Sequence, residues 1–273
     1  MHRDLALDFD SLLPRLGQLA EARGWSLAAE ARVDSTNRRV GALVGSAEGG
    51  GRRPALAVAN EQTAGVGRRG ARWQSGPGDG LWFSLAVPAG KRLPEAPAGL
   101  ALAGRLAGVL QGHGVPVVVK WPNDLYLEQG KLGGLMIERR RLGGVLCWVA
   151  GVGINWRYPA GRLDADYRPA SLGKAVDARR IDSVDLALAL IEAAIAVMTR
   201  PEDWPAEIAL FSRAHHGFGE PVVVERGDGT RETGIAGPIR PDGELEVGRS
   251  DGRVIRAGTH DRVRLLAESA RCD

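Results

Sequence analysis

Leu12, Leu16 and Leu19 recur at helical spacing across residues 10 to 23, after an acidic start and before Gly24, and predict an amphipathic helix that the glycine stops. "DSTN" at 34 to 37 and the glycine-rich 45 to 51 read as loop. The apolar run "ALAVAN" at 55 to 60 then predicts a short buried strand that leads straight into "EQTAGVGRRGARW" at 61 to 73. "GLWFSLAVP" at 80 to 88 is a second strand. "PAGLALAGRLAGVLQGHG" at 97 to 114 is a helix with Leu102, Leu106 and Leu110 on one face, and "VPVVVKW" at 115 to 121 is a third strand. "DLYLEQGKLGGLMIE" at 124 to 138 patterns as a hairpin with "EQGK" at its turn, and "GGVLCWVAGVGINW" at 143 to 156 as a strand ending in glycines and Asn155. A helix over 183 to 198, capped by Asp182 or Ser183, buries an apolar face and is too short to span a membrane. Another helix is predicted over 205 to 215.

Near residue 216 the texture changes to short β-rich runs separated by "GDG", "PDG" and "SDG" turns. The pattern therefore predicts an α+β chain. A mixed β-sheet domain packed with helices occupies 1–215, and a small β-barrel-like domain occupies 216–273.

Composition narrows the class. With 44% hydrophobic and 25% charged residues in 273, the chain suits a globular fold. The N-terminus "MHRDLALDFDSLL" carries acids where a signal peptide needs a basic flank and an apolar core, so the expected location is the cytoplasm, with no membrane partner. Cys147 and Cys272 lie far apart, which argues against a disulfide framework or a zinc site, and Cys147 is expected in the core. A net charge of +3, with its bases scattered, is too small to indicate nucleic acid. Only four of the 36 basic residues are lysines, and Lys120 and Lys131 both fall within "KWPNDLYLEQGK".

Gly65, Gly67 and Gly70 match the G-x-G-x-x-G spacing of a dinucleotide-binding turn. That turn must open a helix whose N-terminus holds the pyrophosphate. Here the glycines are followed by "ARWQSGPGDG", which contains further turn formers, so the fingerprint fails. What remains is a glycine loop bearing Arg68, Arg69 and Arg72, suited to cradling an anion or simply a solvated basic loop. "DSTN" reads as a turn or helix cap, and "KWPND" and "GVGINW" as strand ends carrying amide and charged groups.

In this order and at these separations, "DSTN", "EQTAGVGRRGARW", "VKWPNDLYLEQGKLGGLMIE" at 119 to 138 and "GVGINW" at 151 to 156 resemble the biotin protein ligase family. The likeness spans about residues 33 to 160, and the β-rich C-terminus fits that family's SH3-like barrel. The resemblance implies a class II synthetase-like fold and ATP-dependent activation of biotin to biotinyl-5′-AMP with Mg²⁺. The biotin then passes to a lysine of the biotin carboxyl carrier protein domain of acetyl-CoA carboxylase or a similar carboxylase. It places Ser35, Thr36, Asn37, Gln62, Gly65 and Gly67 at biotin. By the same resemblance Arg68 and Lys131 would be the catalytic cations, also touching biotin, Arg68, Trp73, Asn123 and Asn155 would touch the nucleotide, and Asp124 would serve Mg²⁺ or the incoming lysine. A lipoate-type ligase and a non-catalytic biotin- or nucleotide-binding regulator stand as alternatives. About 33 residues precede "DSTN", too few for a DNA-binding helix-turn-helix plus the leading helix, so DNA is not an expected partner, while a homodimer stays open. His215 and His216 read as a domain-junction pair.

One letter departs from the family pattern: Val66 stands where an arginine is usual. A main-chain contact survives this replacement and a guanidinium contact does not. Val66→Arg is expected to slow the release of biotinyl-AMP by the worth of one charge-assisted hydrogen bond, about 1.5 to 3 kcal/mol. An unaltered off-rate would show that position 66 carries no such contact.

Overall fold

The computed structural model describes residues 6–46, 52–90, 95–128, 130–157, 168–175 and 181–269. Cys272, Gln129 of the expected "EQGK" turn and residues 47–51 of the glycine-rich stretch lie outside the described residues.

The leading helix, α1 (Phe9–Arg23), starts where Asp8 accepts the Ser11 N–H at 3.1 Å and ends at Gly24, whose φ of 65° closes the last turn. It buries Phe9, Leu12, Leu16 and Ala20 at helical intervals. Two elements follow that hydrophobic patterning alone does not reveal, strand β1 (Ser26–Val33) and helix α2 (Thr36–Ser46). β1 is rich in alanine and is a strand because it pairs in parallel with β2 (Ala55–Val66), from Ser26 opposite Ala55 to Val33 opposite Gln62. Parallel neighbours need a crossover, and α2 supplies it. β2 runs past the expected end at residue 60 to Val66. After one 3-10 turn at Arg68–Gly70, the chain folds back as β3 (Arg72–Ser75) against it. "EQTAGVGRRGARW" is thus mostly a hairpin rather than an open loop.

β4 (Gly80–Pro88), α3 (Glu95–Gly112), β5 (Val117–Lys120), β6 (Asp124–Leu127), β7 (Gly130–Leu142) and β8 (Val145–Asn155) complete the first sheet. Its order is β1-β2-β4-β8-β7-β6-β5, with β3 paired to β2. The β7–β8 turn uses Gly143 and Gly144, both at positive φ, as a tight hairpin demands. α4 (Leu172–Ala175), α5 (Ser183–Thr199) and α6 (Trp204–Ala209) follow. Asp182 caps α5, accepting from the Val184 and Asp185 N–H groups at 2.8 and 2.9 Å. α6 is six residues long, well short of the expected helix to 215. Ser212 is drawn instead into two hydrogen bonds with Ile239, as carbonyl acceptor and as hydroxyl donor, and this pairing pulls the chain out of helix.

The second sheet, antiparallel, contains β9 (Pro221–Glu225), β10 (Arg231–Ile239), β11 (Leu245–Gly248), β12 (Val254–Ala257) and β13 (Arg262–Leu265) in the order β12-β11-β10-β9-β13, before α7 (Leu266–Ser269). The three expected turns are built alike. Asp228, Asp242 and Asp251 each accept the N–H two residues on, and the intervening Gly229, Gly243 and Gly252 have φ between 81° and 87°.

The two faces of the first sheet are chemically unequal. Leu56, Val58, Leu81, Phe83, Leu85, Val152 and Ile154 point to one side, into a core with α1, α3 and α5 that continues to Val222, Val224 and Val247 of the second sheet. At about 1.5 to 3 kcal/mol for each fully buried large side chain, this face supplies most of the hydrophobic stabilisation. The opposite face presents Ala28, Ala55, Ala57, Ala86, Cys147 and Val149 to Val40 and Val44 of α2. Cys147 is a core residue as expected, and burial pushes its thiol above its ordinary pKa.

In the larger core α3 carries Gly104 beneath the buried Phe211 ring, where an added methyl group would collide with that ring. Gly104→Ala is expected to destabilise the fold by about 1 to 3 kcal/mol through overpacking. Urea unfolding followed by circular dichroism checks this, and a native midpoint would refute the packing.

Candidate active site

The smaller-residue face of the first sheet becomes progressively barer toward one end. Trp82 of β4 stands opposite Gly153 of β8, which stands opposite Gly134 of β7, which in turn pairs with Asp124 of β6. Between Trp82 and Asp124, Gly153 and Gly134 leave a bed of bare backbone, and Gly80 and Gly151 extend it along β4 and β8. Each glycine makes room for one named group. A Cβ on Gly151 would lie 2.5 Å from Asn37 Oδ1, one on Gly153 2.6 Å from Trp73 Nε1, and one on Gly134 3.2 Å from Lys131 Cε. A Cβ on Gly65 would lie 2.6 Å from the Trp73 carbonyl oxygen, which explains glycine at the β2–β3 crossing.

"DSTN" is both a helix start and a cluster of site residues. The Ser35 carbonyl accepts the Arg39 N–H at 2.9 Å, so α2 begins with its N-terminus against β2. There Gln62 Oε1 accepts from the Thr36 N–H at 2.8 Å and from its hydroxyl at 3.1 Å, while Gln62 Nε2 donates to Ser75 Oγ at 2.9 Å. Ser84, fully buried, donates to Asn37 Oδ1 at 2.6 Å and lies 2.8 Å from Thr36 Oγ1. Ser35, Thr36 and Asn37 are each less than a tenth exposed. Buried polar groups are costly when unpaired, and this relay pairs them while fixing the orientation of the Gln62 amide. Asp34, just outside, is held below the usual carboxylate range chiefly by its hydrogen bond from Arg38.

Across the bed, Lys131 Nζ lies 2.8 Å from Asp124 Oδ1, with the two side chains 14% and 23% exposed, and 5.4 Å from the Trp73 ring centre. The ammonium thus sits between the carboxylate and an aromatic face. Arg68 reaches the same region from the hairpin, donating from Nη1 to Asn123 Oδ1 at 2.7 Å. Asn123 also donates to the Leu135 carbonyl and so belongs to the β6–β7 framework. Asn155 Nδ2 donates to the Ala170 carbonyl at 3.0 Å and to that of Lys131 at 3.4 Å, pinning residues 168–171 to β7. Trp73 lies on the bed, edge-on to Trp82 with ring centres 6.3 Å apart, and its indole N–H is buried and makes no hydrogen bond among the described residues.

The motif residues of the sequence therefore converge, from α2, β2, β3, β6, β7 and β8. Val66 does not join them, which corrects the expectation that an arginine at this position would hold the adenylate. It pairs with Arg72, on the strand face opposite Gly65 and Trp73, and is 42% exposed. His215 is a junction residue as read, its ring nitrogens 3.0 Å from the His216 carbonyl and 2.8 Å from that of Gly237 in β10. Sequence reasoning missed Ser75, Ser84, Gly134, Gly151 and Gly153 as site builders. A lone serine inside the apolar "GLWFSLAVP" was the available sign of Ser84.

Residues 30–155 match the biotin/lipoate A/B protein ligase family. The chain is 31% identical to the biotin–[acetyl-CoA-carboxylase] ligase of Paracoccus denitrificans, over 82% of this chain and 95% of that one. It is 30% identical to the enzyme of the same name from Mycobacterium tuberculosis, over 95% and 96%. It therefore belongs to the biotin–[acetyl-CoA-carboxylase] ligase branch of this family. It is also 37% identical to the Escherichia coli bifunctional ligase/repressor BirA, but there the match spans 51% of this chain and only 42% of that protein. In three dimensions the biotin protein ligase of Aquifex aeolicus, solved with biotin and ATP, superposes with a TM-score of 0.74 at 20% identity, covering 88% of this chain and 99% of that one, which shows a common fold.

If the bed needs bare backbone at Gly153, Gly153→Ala must lift the Trp73 indole from it. The expected outcome is a red shift of tryptophan emission that is absent in a Trp73→Phe background. A shift of equal size in both backgrounds would place the disturbance at another tryptophan.

Proposed function

We propose that the chain is an ATP-dependent biotin protein ligase. One observation carries the reading. A polar relay that fixes the Gln62 amide and two cations, Lys131 paired with Asp124 and Arg68 with Asn123, gather at one glycine-lined region of the sheet on the fold of this family. Such an arrangement suits a flat, neutral, hydrogen-bonding ring at one end and concentrated negative charge at the other. Trp73, whose buried indole N–H makes no hydrogen bond among the described residues, lies against Gly153 and within reach of Lys131.

In the first step a biotin carboxylate oxygen forms a bond to the α-phosphorus of ATP as the bond to the β-phosphate oxygen breaks and pyrophosphate leaves. In the second, a carrier lysine amine forms an amide with the activated carbonyl, AMP leaves and the amine loses a proton to solvent. Both nucleophiles belong to substrates, so the chain's own residues position and neutralise. Ser35, Thr36 and Gln62 meet the ureido group, with Asn37 supporting them through Ser84, and Gly65 and Gly67 offer main-chain contacts. Lys131 bridges the biotin carboxylate and the α-phosphate. Arg68 and Asn123 hold the nucleotide, Trp73 packs on it, and Asn155 acts by fixing Ala170 and the Lys131 strand beside it.

Magnesium fits as a companion of the triphosphate. Among the described residues no three His, Cys, Asp or Glu side chains cluster to hold a metal, and Asp124 is already paired with Lys131. Asp124 is then the carboxylate that a phosphate-borne ion would meet, where the ion supplies further neutralisation. The partner is the carrier domain of acetyl-CoA carboxylase or a similar carboxylase. Repression is not carried over from the BirA relative, because the match covers less than half of that protein. No helix among the described residues is long and apolar enough to cross a membrane.

Incubation with ATP, radiolabelled biotin and a carrier domain is expected to transfer label to the carrier. Lys131→Ala should slow biotinyl-AMP formation by about 10² to 10³, the usual cost of removing one preorganised charge-stabilising group. Label transfer from lipoate in place of biotin would reassign the substrate, and biotin retained without pyrophosphate release would make the chain a binder.

A further inference from the structure

Arg68 is anchored from outside its own sheet as well as within it. While Nη1 donates to Asn123, Nη2 donates to the carbonyl oxygen of Thr259 at 2.6 Å, 191 residues further along the chain. Thr259 lies in the turn between β12 and β13. A carbonyl fixed there and an amide oxygen fixed on the β6–β7 framework take two prongs of one guanidinium, which sets the plane of the fork as well as its position.

The turn has an internal scaffold. Asp261 Oδ2 accepts the Gly258 N–H at 2.9 Å and Arg226 Nη1 at 2.6 Å, and the Asp261 N–H returns to the Gly258 carbonyl at 2.9 Å. Arg226 also donates to the Arg256 carbonyl at 2.7 Å, and through Nε and Nη2 to Glu232 Oε2 at 3.1 and 3.0 Å. Glu232 Oε1 accepts from Arg249 at 2.9 Å. The Asp261 side chain is 13% exposed and that of Arg226 26%, so this is a largely sheltered network rather than a solvated surface pair. Burial works against the Arg226 charge, but hydrogen bonds to Glu232 and Asp261 outweigh it and hold the guanidinium above its ordinary value. Besides tying these strands together, the network frames the turn whose Thr259 carbonyl meets Arg68.

We propose that the 258–261 turn of the second sheet is part of the adenylate site, with Asp261 and Arg226 as positioning residues that hold the Arg68 fork in register with Asn123. The proposal rests on the assignment of Arg68 to the nucleotide given above. It makes the second sheet a participant in biotin activation.

The test is a double-mutant cycle in the full chain, read as the dissociation rate of biotinyl-AMP, which stays measurable in a catalytically inactive variant. Asp261→Asn removes the charge that grips Arg226 yet keeps an acceptor for Gly258. It is expected to speed release about tenfold in the native background, the scale of one lost charge-assisted anchor, and less than about twofold over Arg68→Ala. Arg226→Lys keeps the charge and gives up the multiple grip. It should show the same dependence on Arg68 at smaller amplitude, and it carries the test should Asp261→Asn fail to fold. Accelerations of equal size with and without Arg68 would overturn the proposal, because a purely structural network would act on both backgrounds alike. A native chain that does not bind biotinyl-AMP at all would overturn the assignment of the site, and this proposal with it.

Discussion

A methyl group cannot be placed on Gly153 without coming within 2.6 Å of the Trp73 indole nitrogen, nor on Gly151 without coming as close to Asn37. This steric exclusion, repeated at Gly65 against the Trp73 carbonyl, is the constraint on which the site depends. A β-sheet presents alternate side chains to its two faces, so one strand can be heavily apolar on one side and nearly bare on the other. β4 and β8 do both. Leu81, Phe83, Leu85, Val152 and Ile154 build the core, while Gly80, Gly151 and Gly153, one residue out of phase with them, leave the bed. Stability and vacancy of side chain are separated by face rather than by region, which lets a rigid sheet floor a binding site.

The polar groups around the bed follow from the same geometry. With the sheet bare, the N-terminus of α2 approaches closely enough for Thr36 and Asn37 to meet Gln62 and Ser84. These groups are buried, and each relies on the next for a partner, so the relay is cooperative and its members cannot be altered singly without leaving a neighbour unpaired. At the far side, the close approach of Lys131 to Asp124 balances a half-buried ammonium. The chemistry asks for oriented dipoles and cations rather than a nucleophile, and the architecture supplies those from six different elements.

The long apolar elements were legible because their periodicity is strong: α1, α3 and α5, the β6–β7 hairpin, and the three Asp-Gly turns of the second sheet. β1 and α2 were not, since "SLAAEARV" has little strand character of its own and "TNRRVGALVGS" is marked chiefly by its cap. β1 exists through pairing with β2, and α2 through packing on Ala55, Ala57 and Ala86. The expected helix to residue 215 ended at Ala209 because Ser212 is claimed by Ile239, a partner with no local signature. Ser35, Thr36, Gln62, Arg68, Trp73, Asn123, Lys131 and Asn155 could be picked out by motif order. Their arrangement could not, and Val66, conspicuous as a letter, proved to face away from the bed.

By itself, the sequence determined which chemistry is present: short polar side chains at 34 to 37, a glycine loop bearing arginines, a lysine with a nearby aspartate, and glycines at alternate positions of a strand. These are local facts, fixed by residue type and spacing. Only the tertiary structure decided that the glycines of three strands lie side by side, that Ser84 belongs to the polar relay, and that a carbonyl at Thr259 holds Arg68. Such contacts join residues tens to hundreds of positions apart, and their geometry is set by strand register and sheet docking, which arise from summed packing over the whole core and leave no mark on any short stretch of chain.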